Sequence, residues 1–202
     1  MCGITGLLAT SGNSLELETE LKKMSSFIKH RGPDNKGLWS DPNVLFKLAH
    51  QRLSIIDLSS TGNQPMISHS GRYVIALNGE IYNHRELKID IERSKLSIPW
   101  RGHSDTEILL ELIELYGIKE ALSKSDGMFS IALWDRKDKS ITLARDRMGE
   151  KPLYYGFSGE FSNRIFLFGS ELSALTSWKG FNNKINIHAL SELLSYGAIS
   201  AP

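Results

Sequence analysis

Cys2 is the only cysteine of the chain and stands directly after Met1, followed by Gly3-Ile4. Removal of Met1 would leave a thiol and a free α-amine on one residue, a nucleophile with its base attached. The amine has an unperturbed pKa of ~7.7–8.0 and the thiol ~8.5, so near neutral pH the amine can take the thiol proton without help from His or Asp. On position alone the blander reading, a small buried hydrophobe, is the better one. The remaining polar clusters decide between them.

Asn78-Gly79-Glu80 follows the apolar run Tyr73 to Leu77. The Asn78 amide and the Gly79 backbone N–H, where no side chain blocks approach, could hold an oxyanion ~3 Å away. Asn-Gly is also the strongest short signal for a hairpin turn. The following Glu-Ile-Tyr-Asn-His-Arg-Glu reads as the entrance to a helix instead of a return strand, which weakens the turn. Arg52, within His50-Gln51-Arg52-Leu53-Ser54-Ile55-Ile56-Asp57, could grip a carboxylate through two parallel hydrogen bonds. Its alternative is a surface ion pair, with Asp57 the candidate partner. Glu80 and Asp105 could bind an ammonium group, although Asp105 also suits a helix N-terminus. Together these groups fit an α-amino acid whose side chain carries a carbonyl. Its carboxylate would meet Arg52, its ammonium Glu80 and Asp105, and its amide carbon Cys2. Glutamine is the obvious candidate.

Composition excludes other classes. The chain has 202 residues, 41% hydrophobic and 23% charged, ordinary material for a packed domain. Its 24 Lys+Arg balance 23 Asp+Glu with no basic block, so no nucleic-acid partner is expected. One cysteine allows no internal disulfide and no Cys-rich metal site, and the six His lack metal-ligand spacing. No metal is therefore expected in this domain. Neither a signal peptide nor a membrane span is visible, and the cytoplasm is the expected compartment.

The elements that must carry these residues read as α+β. Ile4 to Ala9 is a short apolar segment that would hold Cys2 at the edge of a sheet, and Leu15 to Ile28 is an amphipathic helix. Val44 to Ala49 and Arg72 to Leu77 read as strands, and Arg85 to Arg93 as a short helix. Thr106 to Tyr116 is a helix capped by Ser104 and stopped at Gly117. Met128 to Asp135 with Ser140 to Arg145, and Leu153 to Phe157 with Arg164 to Phe168, form two hairpins. Ile187 to Tyr196 is a last helix, after which Ala201-Pro202 ends the sequence abruptly. The whole forms one layered domain over residues 1–202.

The sequence resembles the glutaminase domain of asparagine synthetases, class II glutamine amidotransferases of the N-terminal-nucleophile hydrolase fold. The likeness runs from end to end, through Met1-Cys2-Gly3-Ile4, His30-Arg31-Gly32-Pro33-Asp34, Arg52-Leu53-Ser54-Ile55-Ile56-Asp57 and Gly62-Asn63-Gln64-Pro65-Met66. It continues through Asn78-Gly79-Glu80-Ile81-Tyr82-Asn83, Ser104-Asp105-Thr106-Glu107, Arg145-Asp146-Arg147 and Lys151-Pro152-Leu153-Tyr154-Tyr155. The resemblance implies a four-layer α/β/β/α sandwich of two antiparallel sheets with Cys2 at one end of the facing sheets. It makes Cys2 the nucleophile, Asn78 and Gly79 the oxyanion hole, Arg52 the carboxylate site, and Glu80 and Asp105 the ammonium site. Backbone groups around Leu53 and Ile55 would help orient the substrate. The His30–Asp34 run lies near the same site, and a purely structural loop accounts for it equally well.

The resemblance also implies a C-terminal synthetase domain that uses ATP and Mg²⁺ and receives the ammonia, converting aspartate to asparagine. Its Ser-Gly-Gly pyrophosphate loop is absent here, so the sequence reads as a fragment, with no cofactor of its own. Trp100 to Asp105 and Gly149 to Pro152 look more like synthetase-like proteins of surface-polysaccharide clusters, in which a sugar acid would be the acceptor. A non-catalytic regulatory domain keeping the fold is the reading of another class, and a homo-oligomer stays open.

Overall fold

A computed structural model describes residues 1–94, 98–160 and 163–200. The expected end at Ala201-Pro202 lies outside the described residues, as does part of the loop that leads to Pro99.

Two antiparallel sheets face each other. The first has five strands in the order β2-β3-β1-β9-β8: Asn35–Ser40 (β2), Phe46–Arg52 (β3), Gly3–Ala9 (β1), Ile165–Gly169 (β9) and Tyr154–Ser158 (β8). The second is β4-β5-β6-β7: Met66–Ile67, Tyr73–Ile81, Gly127–Asp135 and Ser140–Arg145. Ile4, Leu48, Val74, Ala132 and Trp134 meet between the sheets, where Phe46 stacks on Trp134 with ring centroids 4.1 Å apart. Helices Ser14–Phe27 (α1) and Leu172–Thr176 (α5) cover the outer face of the first sheet through Leu17, Leu21, Met24 and Leu175. Helices His84–Arg93 (α2), Asp105–Tyr116 (α3) and Ile118–Lys124 (α4) cover the second. The result is the four-layer α/β/β/α sandwich. Helix Ile187–Tyr196 (α6) buries no residue. Among the described residues no helix is long and apolar enough to cross a membrane.

Two sequence expectations change. The strand after Cys2 is not at a sheet edge: β1 lies in the middle of its sheet, paired with β3 on one side and β9 on the other. Its nearly continuous burial is what a central strand shows. The apolar run before Asn78 does not stop there either. β5 continues through Asn78-Gly79 to Ile81, in unbroken register with β6 from Tyr73↔Asp135 to Ile81↔Gly127. Nine cross-strand pairs outweigh the turn preference of one dipeptide.

The two ends of the sandwich differ because β4 is only two residues long and pairs with Ile75 and Val74. From Leu77 onward the outer edge of β5 has no strand beside it, and side chains take over. Gln64 Oε1 accepts the Leu77 N–H at 2.6 Å, His50 Nε2 donates to the Leu77 carbonyl at 3.1 Å, and Asp105 Oδ2 accepts the Ile81 N–H at 2.9 Å. A strand turns alternate residues toward the same edge. Gly79, midway between Leu77 and Ile81, therefore presents its N–H and C=O to this edge, and among the described residues no side chain fills its slot.

His50 is fully buried, and burial lowers its pKa from the ordinary 6.5 to about 4. The unfolded chain thus binds a proton that the folded one refuses between these values. Stability is full above pH 6.5 and is expected to fall by about 3 kcal/mol as the pH drops to about 4. His69, lowered by burial but raised more by its bonds to Glu111 and the Pro99 carbonyl, acts in the opposite sense, its contribution fading as the pH rises above the ordinary 6.5. Urea unfolding midpoints over this window should decline for the wild type, and His50→Gln should flatten the slope.

Candidate active site

Cys2 sits just ahead of β1, and one cleft gathers it with Arg52, Leu53, Asn78, Gly79 and Asp105. Glu80 and Ile55 line the same cleft. All eight residues singled out in the sequence are therefore brought together, from the residue ahead of β1, from β3, β5 and α3, and from the loop after β3.

The thiol rests on the first residue of that loop. The Leu53 N–H points at Sγ from 3.4 Å and Sγ lies 3.6 Å from the Leu53 carbonyl. Burial pushes the Cys2 pKa up, against the lowering influence of the Leu53 N–H, the amino terminus and Arg52, and with a raising contribution from Asp105. A thiol held protonated needs a base to become a nucleophile. Among the described residues no imidazole bonds to it: His50 is spent on Leu77, and His30 on Glu171 at 2.8 Å.

Arg52 is only 6% exposed, and its carboxylate-gripping capacity depends on which donors are taken. Nη1 donates to the Ser59 carbonyl and to Asn63 Oδ1, both at 2.7 Å, and Nη2 donates to the Asp57 carbonyl. The Nε hydrogen and one on Nη2 have no partner among the described residues. Nε and Nη2 lie on the side-on edge of the guanidinium, the edge that can take a carboxylate through two parallel bonds. The ion pair with Asp57 does not form. The Asp57 carboxylate serves Ser59, Thr61 and the His103 N–H, bonds that outweigh its burial and hold its pKa well below the carboxylate range. Gly62 must be glycine for this packing, because a Cβ there would collide with Arg52 Nη2.

Asp105 caps two structures at once. Oδ2 takes the Ile81 N–H, and Oδ1 takes the Thr106 N–H at 2.9 Å on the first turn of α3. Burial nevertheless raises its pKa, more than these bonds lower it. A desolvated carboxylate beside the open Gly79 slot is stabilised by an arriving cation. The helix-terminus reading is met by the Thr106 bond, and the same side chain lines the cleft beside Gly79. Asn78 is fully buried, and its Nδ2 makes a single long bond of 3.4 Å to Ser130 Oγ, leaving its second hydrogen uncommitted. Gly79 packs so tightly on β6 that a Cβ would strike the Met128 carbonyl.

The His30–Asp34 run is more than a loop. Lys29–Arg31 forms a 3-10 turn, from which Arg31 Nε donates to the Cys2 carbonyl at 2.9 Å while Nη1 pairs with Glu171 Oε1 at 2.9 Å. Asp34 Oδ2 accepts the Ser54 N–H at 2.8 Å and so fixes the loop under the thiol. The run itself was visible in the sequence. Glu171, 140 residues away, carried no signal there. Among the described residues no group of three or more His, Cys, Asp or Glu side chains is gathered as a metal would require.

A family model described as a glutamine amidotransferase domain matches residues 1–202. The chain belongs to the glutamine amidotransferase domain family. A putative glutamine-hydrolysing asparagine synthetase of Methanocaldococcus jannaschii is 34% identical over all of this chain and 40% of its own length. A glutamine-hydrolysing asparagine synthetase of Oryza sativa subsp. japonica is 39% identical over 87% of this chain and 28% of its length. The amidotransferase domain thus spans well under half of these relatives. Among solved structures, the glutamine phosphoribosylpyrophosphate amidotransferase of B. subtilis superposes with a TM-score of 0.68. That match covers 87% of this chain and 43% of the other at 20% identity, a likeness of fold.

Proposed function

We propose that this amidotransferase domain hydrolyses glutamine to glutamate and ammonia through a thioester on Cys2. The reading rests above all on the open slot of Gly79, a backbone position on the β5 edge without a partner among the described residues, lining the same cleft as the thiol. Glutamine enters with its α-carboxylate on the side-on edge of Arg52 and its ammonium between Glu80 and Asp105. Leu53 fixes the sulfur through its backbone, and backbone groups around Leu53 and Ile55 help orient the substrate.

The chemistry follows from a thiol with a raised pKa and no imidazole. After Met1 is removed, the Cys2 α-amine accepts the thiol proton, directly or through a water. Sulfur attacks the side-chain amide carbon, a C–S bond forms, and the oxyanion is held by the N–H of Gly79 and the Asn78 amide. The C–N bond breaks and ammonia leaves with the proton returned by the amine. Water, deprotonated by the same amine, cleaves the thioester to glutamate and restores the thiol. No metal takes part in these steps.

The domain supplies ammonia to a C-terminal synthetase domain that binds ATP and Mg²⁺ and converts aspartate to asparagine in the cytoplasm. The names of the relatives and their greater length support that larger reading. The test is intact mass of the purified chain, ammonia release from glutamine, and labelling by a glutamine-derived electrophile. The reading expects loss of the Met1 mass and a single label on Cys2; processed protein that takes no label there sinks it.

A further inference from the structure

Lys151 lies in the connection between β7 and β8 and is 5% exposed. Its backbone is fixed from both sides: the N–H donates to Asp146 Oδ2 at 3.1 Å, and the carbonyl accepts from Arg145 Nε at 2.6 Å. The side chain lines the cleft that holds Cys2, and its Nζ reaches Met1 Sδ at 3.1 Å. A thioether is a weak acceptor, and among the described residues Lys151 forms no ion pair. An ammonium buried without a counter-charge is costly, and such groups concentrate where a site uses their field. Among the described residues the polar partner of Nζ is Met1, the residue whose removal activates the nucleophile.

We propose that Lys151 supplies the charge that keeps the α-amine of processed Cys2 unprotonated and ready to accept the thiol proton. This inference rests on the Cys2 reading of the preceding subsection. Met1 Sδ is five bonds from the Cys2 nitrogen, so once Met1 is gone the Lys151 ammonium lies within roughly 9 Å of the new amine, with the vacated space between them.

The other ionisable groups facing Cys2 explain why such a charge is needed. Arg31 from the 3-10 turn is paired with Glu171. Arg52 comes from β3, Asp57 from the loop after it, Glu80 from β5 and Asp105 from α3. On the connection of Lys151 itself, Asp146 is spent on backbone N–H groups and Glu150 is exposed. Glutamine, a zwitterion, adds no net charge. While Arg31 and Glu171 pair with each other, three carboxylates in the cleft itself (Asp57, Glu80 and Asp105) therefore face the Arg52 guanidinium. Their surplus negative charge favours an ammonium, which cannot act as a base. Lys151 offsets it from the connection between β7 and β8, where Asp146 is engaged by backbone N–H groups. At this separation in a half-buried cleft, one positive charge shifts a neighbouring titration by about one pH unit.

The test uses protein confirmed by mass to have lost Met1, in wild-type, Lys151→Met and Lys151→Arg forms. The pH dependence of kcat/KM for glutamine hydrolysis is measured over about pH 5 to 9, and the Cys2 amine is titrated directly by NMR with labelled cysteine. Lys151→Met is expected to move the acid limb and the amine titration up by about one pH unit. It should cost about tenfold in rate below the limb and converge with the wild type above it. Lys151→Arg, which keeps the charge, should track the wild type. An acid limb and amine titration unmoved in Lys151→Met overturn the inference, as does a uniform loss at every pH. In those cases Cys2 labelling still stands. Failure of the Cys2 reading shows itself separately, as wild-type protein that takes no label on Cys2.

Discussion

Cys2→Ala is expected to remove ammonia release from glutamine almost entirely, by at least ~10³-fold, because it deletes the atom that forms the thioester. The fold should survive it. Cys2 precedes β1 and, among the described residues, its thiol hydrogen-bonds to the backbone of Leu53, so unfolding midpoints should change little. Cys2→Ser is the finer variant: a hydroxyl is a far weaker acid than a thiol, and an α-amine cannot ionise it as well, so its rate should fall nearly as far. A third variant separates thiol from base. A chain that keeps a residue in front of Cys2 retains the sulfur but has an amide in place of the amine. It should bind glutamine and turn it over as poorly as Cys2→Ala. Glutamate production by a coupled assay reads all three; equal activity in wild-type and Cys2→Ala protein would place the chemistry elsewhere.

What the sequence revealed and what it hid follow a physical division. Elements decided by local pattern were legible. The helix expected over Leu15 to Ile28 is α1, capped by Asn13, and the helix behind Ser104 is α3, ended at Gly117. Both hairpins and α6 also lie where periodicity put them. Elements decided by distant partners were not. β2 alternates in exposure along Asn35–Ser40, but its polar and glycine residues conceal the strand until β3 pairs with it. β4 is two residues long, and α4 and α5 are too short for a periodic signal. The same division runs through the site. Residues with distinctive chemistry, Cys2, Arg52, Asn78 and Asp105, could be named from their neighbours. The groups that leave only Gly79 open, Gln64 and His50, act through side-chain bonds to the backbone of Leu77 from other parts of the chain. No spacing rule exposes such contacts, and the same holds for the Arg31–Glu171 pair and for Lys151.

Asn78→Ala is expected to lower kcat by ~10²–10³ while changing KM for glutamine little, the signature of a donor that acts on the developing oxyanion. The loss should stop short of that in Cys2→Ala, because the Gly79 N–H remains in place as the second donor. This ordering follows from how the two donors are held. Gly79 is fixed by the β5–β6 ladder and by its contact with the Met128 carbonyl, neither of which involves the Asn78 side chain. The Asn78 amide is held only by its long bond to Ser130, and Oδ1 is buried without a partner, so trimming it to alanine leaves Ser130 as the one group with a lost bond. Stability should therefore fall modestly, by about 1–3 kcal/mol for the buried space and the weak bond. Asn78→Asp sharpens the test. It fits the same space but replaces the donor with an acceptor, which bears a charge when ionised and would repel the oxyanion. Its kcat should fall below that of Asn78→Ala. The reverse order, with the aspartate variant the more active, would mean that Asn78 does not face the oxyanion and that Gly79 works with another donor.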